Sequence, residues 1–295
     1  MIRSVVTIGK FDGVHLGHQA VIAALKERAG EKEVVVITFD RHPADLFAPG
    51  KAPLPILSIA GRESALLAAG ADRVVCLPFT KELADLSPRE FVEKYLVEEL
   101  SAALVVVGHD FKFGKAGAGN PELLEEFGKE FGFSVELADE VCEEGGTRIS
   151  SSSVREAILS GNVEAAAQML GRQHSVSGEV VHGLKRGKEL GFPTANLSED
   201  SEGLIPATGV YAGSIQLDGK TYVAAISVGD NPTFNDVTRN QVEAYALDAE
   251  FDAYGKIATV SFAKRIRGNE AFPDVEALKV QIAADVETVR AISLQ

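Results

Sequence analysis

The first half of the chain repeats one pattern. Short β-branched apolar runs lie at 5–8, 34–38, 74–77, 104–107 and 134–137. They read as apolar throughout rather than alternating, the signature of strands covered on both faces of a parallel sheet. Helical patterns separate them at 17–29, 63–69, 88–100 and 121–131. Ser87-Pro88-Arg89-Glu90 is a strong start signal: Ser87 caps, Pro88 suits the first turn, and Glu90 completes a capping box. Strands alternating with helices predict a doubly wound parallel α/β sheet with right-handed crossovers.

The pattern changes after a helix predicted over 154–170. Short strands follow at 175–181, 209–215, 222–227, 242–247 and 257–262. Asp218-Gly219 is the pair expected in a two-residue hairpin. Evenly spaced short strands predict a small antiparallel β-barrel. A last helix is expected after Pro273, with Asp274 as cap, running to about 292. Its apolar positions Val275, Leu278, Ile282, Val286 and Val289 fall three and four apart, so one face packs on the barrel. There is no internal repeat and no low-complexity tract. The change near Gly171 divides the chain into 1–171 and 172–295.

A length of 295 residues agrees with two domains. With 45% hydrophobic and 24% charged residues, the chain is of ordinary globular composition, not disordered. Its net charge is −14 and its isoelectric point near 4.9. Residues 1–172 hold 18 basic against 26 acidic side chains, and residues 173–295 hold 11 against 17. Neither half offers the clustered positive charge that nucleic acid or an anionic membrane surface requires, so neither partner is expected. Anion binding must come from local geometry. Two cysteines, Cys76 and Cys142, make neither a metal site nor a disulfide framework, which points to the reducing cytoplasm. No run of about 18 apolar residues exists, and the run at 5–9 is too short for a signal peptide.

Ile8-Gly9-Lys10-Phe11-Asp12-Gly13-Val14-His15-Leu16-Gly17-His18 leaves the first strand and enters the first helix. Gly9, Gly13 and Gly17 permit a tight bend and close approach to a ligand. His15 and His18 flank a helix start, where unpaired N–H groups and the dipole attract phosphate. Two imidazoles there can donate to phosphate oxygens as charge builds during phosphoryl or nucleotidyl transfer. The plainer alternative is a tight strand–helix turn with incidental histidines.

His15-Leu16-Gly17-His18 resembles the His-x-Gly-His motif of nucleotidylyltransferases. The longer block from Gly9 to His18 resembles the prokaryotic bifunctional riboflavin kinase/FMN adenylyltransferases, or FAD synthetases. Further blocks agree in order: Thr38-Phe39-Asp40-Arg41-His42-Pro43, then Val107-Gly108-His109-Asp110-Phe111-Lys112-Phe113-Gly114, then Ile149-Ser150-Ser151-Ser152-Ser153-Val154-Arg155. The family usually carries Thr where this chain has Ser152; both offer a hydroxyl. The resemblance covers nearly the whole chain. It implies a Rossmann-like nucleotidylyltransferase sheet in which His15 and His18 are catalytic. Gly9, Phe11, Gly13, Gly17, Ser150, Ser151, Ser152 and Arg155 would bind ATP phosphates, and His42 and Asp110 the flavin.

Each block has a structural reading beside the functional one. Ser153-Val154-Arg155-Glu156 fits a capping box, though a capped helix start is also an anion site. Arg155 in a first helical turn is misplaced without a nearby anion. His42 before Pro43 suits a turn. Asp110 follows a buried strand, at the edge where open α/β sheets bind ligands. His109 is given no role.

A second constellation runs from Val181 to Asn196: His182-Gly183-Leu184-Lys185-Arg186-Gly187-Lys188-Glu189-Leu190-Gly191-Phe192-Pro193-Thr194-Ala195-Asn196. It is a basic, glycine-rich loop in an acidic half, and its glycines let N–H groups face phosphate. Alone, it also fits a surface loop with solvated charges. Thr194 and Asn196 offer neutral oxygens on one side of an extended segment, suited to Mg²⁺ together with substrate phosphates. The Gly-x-Pro-Thr-Ala-Asn block resembles the riboflavin kinase module of the same family. So do Gly209-Val210-Tyr211-Ala212, Gly229-Asp230-Asn231-Pro232-Thr233-Phe234 and Val242-Glu243-Ala244-Tyr245. The resemblance makes Glu243 the catalytic base, where alternation alone would make it an outward strand residue. It assigns kinase ATP binding to Gly183, Lys185, Gly187, Gly191, Pro193 and Thr194. Family members often have His at Tyr245, so that position is given no role.

The resemblance thus implies two ATP-dependent steps, riboflavin to FMN and FMN to FAD, with Mg²⁺ as cofactor and riboflavin, FMN and ATP as ligands. Nucleotidylyl transfer to another phosphorylated acceptor is a competing expectation, and a non-catalytic flavin or nucleotide sensor is a second. Oligomeric state is not encoded in these patterns.

Overall fold

The computed structural model describes residues 3–138, 149–183, 190–230, 240–249 and 252–293. Contacts divide the chain into two compact units, Met1–Leu54 with Ile59–Ser150, and Pro55–Ser58 with Ser151–Gln295.

The first unit is a five-stranded parallel sheet of β1 (Ser4–Ile8), β2 (Glu33–Phe39), β3 (Arg73–Leu77), β4 (Ala102–Val107) and β5 (Ser134–Leu137). Its spatial order is β3-β2-β1-β4-β5, so the direction of winding reverses between β1 and β4. That reversal opens a crevice at the carboxyl ends of the strands. The connecting helices are α1 (Leu16–Ala29), α2 (Pro43–Phe47), α3 (Ile59–Ala68), α4 (Lys81–Asp85), α5 (Pro88–Phe91) and α6 (Pro121–Phe131). Val6, Val35, Ile37 and Val105 pack on one face against Phe91, Leu96 and Leu124. Val5, Val34, Leu104 and Val106 pack on the other against Leu25 and Ala29. The parallel sheet agrees with the sequence pattern. Two expectations need correction. The edge strands β3 and β5 are half-exposed or exposed along most of their length, because an edge is covered less than the centre. The 88–100 helix starts with the expected Ser87/Glu90 capping box but continues over Val92–Glu99 as a π-helix.

The second unit is a closed antiparallel barrel in the order β10-β7-β6-β11-β8-β9. Its strands are β6 (His174–Val181), β7 (Ala195–Leu197), β8 (Gly209–Leu217), β9 (Lys220–Asp230), β10 (Asn240–Ala246) and β11 (Ile257–Arg267). Val176, Tyr211, Ile226, Val260 and Phe262 fill the barrel. Asp218 and Gly219 both adopt positive φ, 50° and 76°, as a two-residue hairpin with right-handed twist demands. The helix expected over 154–170 is two helices, α7 (Ser151–Leu159) and α8 (Val163–Leu170), separated at Gly161, whose φ is 82°. Because α7 starts at Ser151, Ser153 lies inside its first turn and does not cap it. Both helices group with the barrel, whereas the compositional change lies at Gly171.

Helix α9 (Val275–Ser293) closes the second unit. Asp274 caps it, its Oδ1 accepting from Ala277 N at 2.8 Å. Val286 and Val289 pack with Ala212 and Leu247, while Val275 is exposed, so the apolar stripe engages only from its later turns. Arg267 on β11 holds the helix through the buried carboxylate of Asp285, with Nη2–Oδ2 at 2.7 Å. Among the described residues, no helix is long and apolar enough to cross a membrane. Cys76 is a free, half-buried thiol, and Cys142 lies outside the described residues.

Candidate active sites

Strand β1 delivers the chain to the carboxyl edge of the sheet. Gly9 N still donates to Ile37 O at 3.1 Å, and the backbone then bends sharply. Phe11, Gly13 and Val14 take φ values of 49°, 80° and 44°. A left-handed β-branched residue is costly, and Val14 is fully buried, so the surrounding fold enforces the bend. Val14 N closes it onto Phe11 O at 3.1 Å.

His15 then stands at the N-cap of α1 in extended conformation and makes no side-chain cap bond, which leaves the helix start open to an anion. The His15 and His18 rings stack with centroids 3.7 Å apart and planes 20° apart. Phe11 meets His18 edge-on at 5.0 Å. Gly17 is what lets this happen: a Cβ there would lie 3.1 Å from His15 Nδ1 and Cε1. Burial pushes the His18 imidazole well below its ordinary pKa, and the neighbouring His15 adds to the effect. The His18 ring is therefore neutral near pH 7 and offers one N–H donor.

The same position for a Gly17 Cβ lies 3.9 Å from Ile149 O, so the segment leading to Ser150 passes beside this turn. Ser151, Ser152 and Arg155 sit on α7, grouped with the second unit. Arg155 is in the second helical turn, not the first, and its Nη1 donates to Ser151 O at 3.3 Å. Ser152 and Arg155 line an open cleft of about 480 Å³ with Glu156, Leu159 and Ser160. His42 is the N-cap of α2: its Nδ1 accepts from Ala44 N at 3.0 Å, and Asp45 reaches back to His42 N at 3.1 Å. His42 Nε2 lies 3.2 Å from Lys10 Nζ. Asp110 is exposed just past β4, curled over Gly108.

In the second unit, strand alternation builds a site on the outer face of the barrel. Val242 and Ala244 on β10 point into the core, which turns Gln241, Glu243 and Tyr245 outward. On the paired strand β7, Ala195 and Leu197 are core, and Asn196 stands opposite Glu243. Thr194 Oγ1 donates to Glu243 Oε2 at 3.2 Å. Asn196 Nδ2 donates to Thr194 O at 3.3 Å and to its Oγ1 at 3.2 Å. Gln241 Nε2 donates to Asn196 Oδ1 at 3.4 Å. Gly183 closes over this amide so tightly that a Cβ there would lie 2.4 Å from Asn196 Oδ1. Phe192 meets Tyr245 edge-on at 5.4 Å, and both pack beside α9. Gly191 and Pro193 lie on the exposed approach to Thr194, whereas Lys185 and Gly187 fall outside the described residues.

Sequence reading passed over three residues that shape these sites. Gln241 was legible in principle, two positions before Glu243 on the same face. Lys10 was inside a motif but had no assigned partner. Arg62, whose guanidinium grips Lys10 O and Phe39 O, gave no local signal because it acts on distant backbone.

Comparisons with known proteins cover nearly the whole chain. A family model described as FAD synthetase matches residues 2–153, and one described as riboflavin kinase matches residues 170–293. A bifunctional riboflavin kinase/FMN adenylyltransferase of Pseudomonas fluorescens is 39% identical over 98% of this chain and 93% of its own length. The protein so described in Escherichia coli K12 is 37% identical over 97% and 91%. A solved structure from Streptococcus pneumoniae, described as a macrolide-efflux protein, is 35% identical, with a TM-score of 0.87 over 98% of this chain and 94% of that one. With both halves matched and relatives aligned almost end to end, the chain belongs to the bifunctional riboflavin kinase/FMN adenylyltransferase family.

Proposed function

We propose that this chain makes FMN and then FAD, one step in each half, with the residues above in defined roles. In the kinase half, 172–295, the riboflavin 5′-hydroxyl oxygen attacks the γ-phosphorus of ATP. The bond to the β-bridging oxygen breaks, ADP leaves, and Glu243 takes the hydroxyl proton. The hydrogen bond from Thr194 fixes the carboxylate that must receive it. Gly183, Lys185, Gly187, Gly191, Pro193 and Thr194 are assigned to the ATP phosphates. Thr194 and Asn196 present hard oxygen donors, a set that fits Mg²⁺ bound mainly through substrate phosphates and water. When bound, the ion neutralises phosphate charge.

In the adenylyltransferase half, 1–171, an FMN phosphate oxygen attacks the α-phosphorus of ATP, and pyrophosphate leaves. His15 and His18 donate to the transferring group, and the start of α1 receives phosphate charge. Gly9, Phe11, Gly13 and Gly17 shape this pocket. Ser150, Ser151, Ser152 and Arg155 hold departing phosphates, while His42 and Asp110 face the flavin substrate. No covalent enzyme intermediate is needed, because positioning and charge stabilisation suffice. The free Cys76 thiol suits a reducing cytoplasm.

The observation that carries this reading is that both constellations are intact in one chain, each within its matching half. The test is product analysis with riboflavin, ATP and Mg²⁺, in which FMN appears first and FAD second. Tight binding of flavin and nucleotide without turnover would instead identify a sensor. Adenylylation of a different phosphorylated acceptor, with FMN inert, would reassign the first half.

A further inference from the structure

Phe11 and Val14, neither of them glycine, take left-handed φ in the bend after β1. Strain of this kind persists only where neighbouring groups over-determine the backbone. Here they gather on one atom, the Lys10 carbonyl oxygen. It accepts from Thr38 Oγ1 at 3.0 Å and from Arg62 Nη1 at 3.2 Å. Thr38 is a buried residue of β2, whereas Arg62 reaches in from α3, outside the sheet. The other arm of the same guanidinium, Nη2, donates to the carbonyl of Phe39, the last residue of β2. One half-buried side chain therefore joins the exit of β1 to the exit of β2.

Each exit leads to a different substrate in the reading above. From Lys10 the chain enters Phe11, whose buried ring covers Gly9, where a Cβ would lie 3.2 Å from Phe11 Cε2. That ring meets His18 edge-on at 5.0 Å, so the direction of the Lys10–Phe11 peptide is passed to the imidazole pair. From Phe39 the chain enters the segment assigned to the flavin. This segment is fixed on its far flank by Asp40, whose N donates to Leu77 O at 3.1 Å and whose Oδ1 accepts from Phe79 N at 2.8 Å. Both exits lie at the carboxyl ends of the strands, where open α/β sheets take ligands. A planar guanidinium holds two carbonyls at a set spacing, which an ammonium on a flexible stem does not.

We propose that Arg62 is a positioning residue for adenylyl transfer. It touches neither substrate; it sets the spacing between the bend that takes ATP and the segment that takes FMN, and so the approach of the acceptor phosphate to the α-phosphorus. This deepens the proposed adenylyl transfer and rests on it. Each substrate is held by many contacts that Arg62 does not make, so its loss leaves binding nearly intact. Two reactants misaligned by about 1 Å nevertheless react on the order of a hundredfold more slowly. The signature is a fall in kcat that kcat/KM follows equally.

The experiment is steady-state FAD formation from FMN and ATP by the full chain, wild type against Arg62→Met and Arg62→Lys. Wild-type FAD formation is measured first, since its absence defeats the underlying reading rather than the role of Arg62. Arg62→Met should lower kcat on the order of a hundredfold, with KM for FMN and for ATP each within about threefold and FMN production from riboflavin unchanged. Arg62→Lys keeps the charge but not the spacing, and should lose about tenfold or more in kcat. A melting curve matching wild type shows that a variant is folded; should Arg62→Met unfold, Arg62→Lys is read alone. Wild-type kcat in either folded variant, or a loss carried mainly by one KM, overturns the assignment. Unfolding of Arg62→Lys as well would make Arg62 a stability residue only, and overturns it too.

Discussion

Thr194, just before β7, and Glu243 on β10 lie 49 residues apart in the chain, yet the threonine hydroxyl donates to the glutamate Oε2 across 3.2 Å. The contact exists because β7 and β10 pair antiparallel, with Glu243 in register with Asn196. A carboxylate held this way keeps one orientation and remains available as a proton acceptor.

Glu243→Gln should lower FMN formation on the order of a hundredfold to ten-thousandfold, the range for loss of a positioned general base. The amide keeps the Thr194 hydrogen bond, so ATP affinity should change little. A riboflavin kinase assay with product separation checks it, and near-normal turnover removes Glu243 as the base.

His18→Ala should lower FAD formation on the order of a hundredfold or more while FMN continues to accumulate from riboflavin. The readout is the FMN to FAD ratio over time. Equal loss of both products in a folded variant would refute the division of labour between the halves.

Burial keeps His18 neutral near pH 7. Triphosphate placed against the ring favours its cation, so ATP binding to this half should take up a proton and tighten as pH falls from about 8 to about 6. Calorimetry of ATP binding to wild type and His18→Gln, in buffers of different ionisation heat, reports that uptake. Identical proton counts for the two proteins would exclude His18 as the group.

Gly183→Ala should damage the kinase step selectively. Its Cβ would lie 2.4 Å from Asn196 Oδ1, so the amide or the loop must move. A misplacement near 1 Å costs on the order of a hundredfold in rate. FAD formation from supplied FMN should be unaffected, and retention of kinase activity would show that the amide position is unimportant.

His174 reports on barrel stability. It is 1% exposed, donates from Nε2 to Leu204 O at 2.6 Å, and is held by burial at a pKa of about 4. The unfolded chain titrates near 6.5, so below that value the unfolded state binds the proton first. Stability is full above about pH 6.5 and falls by about 3 kcal/mol as pH drops to about 4. Denaturant unfolding of the barrel should show this fall, and His174→Phe should flatten it. An equal fall in both proteins rejects the assignment.

Much of the fold was legible because its strands are continuous apolar runs and its turns use diagnostic residues such as Asp218-Gly219. Strand β7 was not, since the three residues Ala195-Asn196-Leu197 carry too little pattern and only pairing with β6 and β10 makes them a strand. The break at Gly161 was hidden because a single glycine inside a helical pattern can be tolerated and does not by itself mark an end. At the sites, His15, His18, Thr194 and Glu243 stood out by type and spacing. Arg62 did not, because it acts through carbonyls of other segments.

Ring closure of the six barrel strands pairs every one of them on both sides, whereas among the described residues the parallel sheet ends in β3 and β5. Unpaired strand borders invite intermolecular zippering, and these two are only five and four residues long, with Arg73 and Glu136 among them. Short, charged borders of this kind disfavour edge-to-edge pairing. If the halves were expressed separately, self-association would begin at those borders, and lengthening either with uncharged β-branched residues would hasten it.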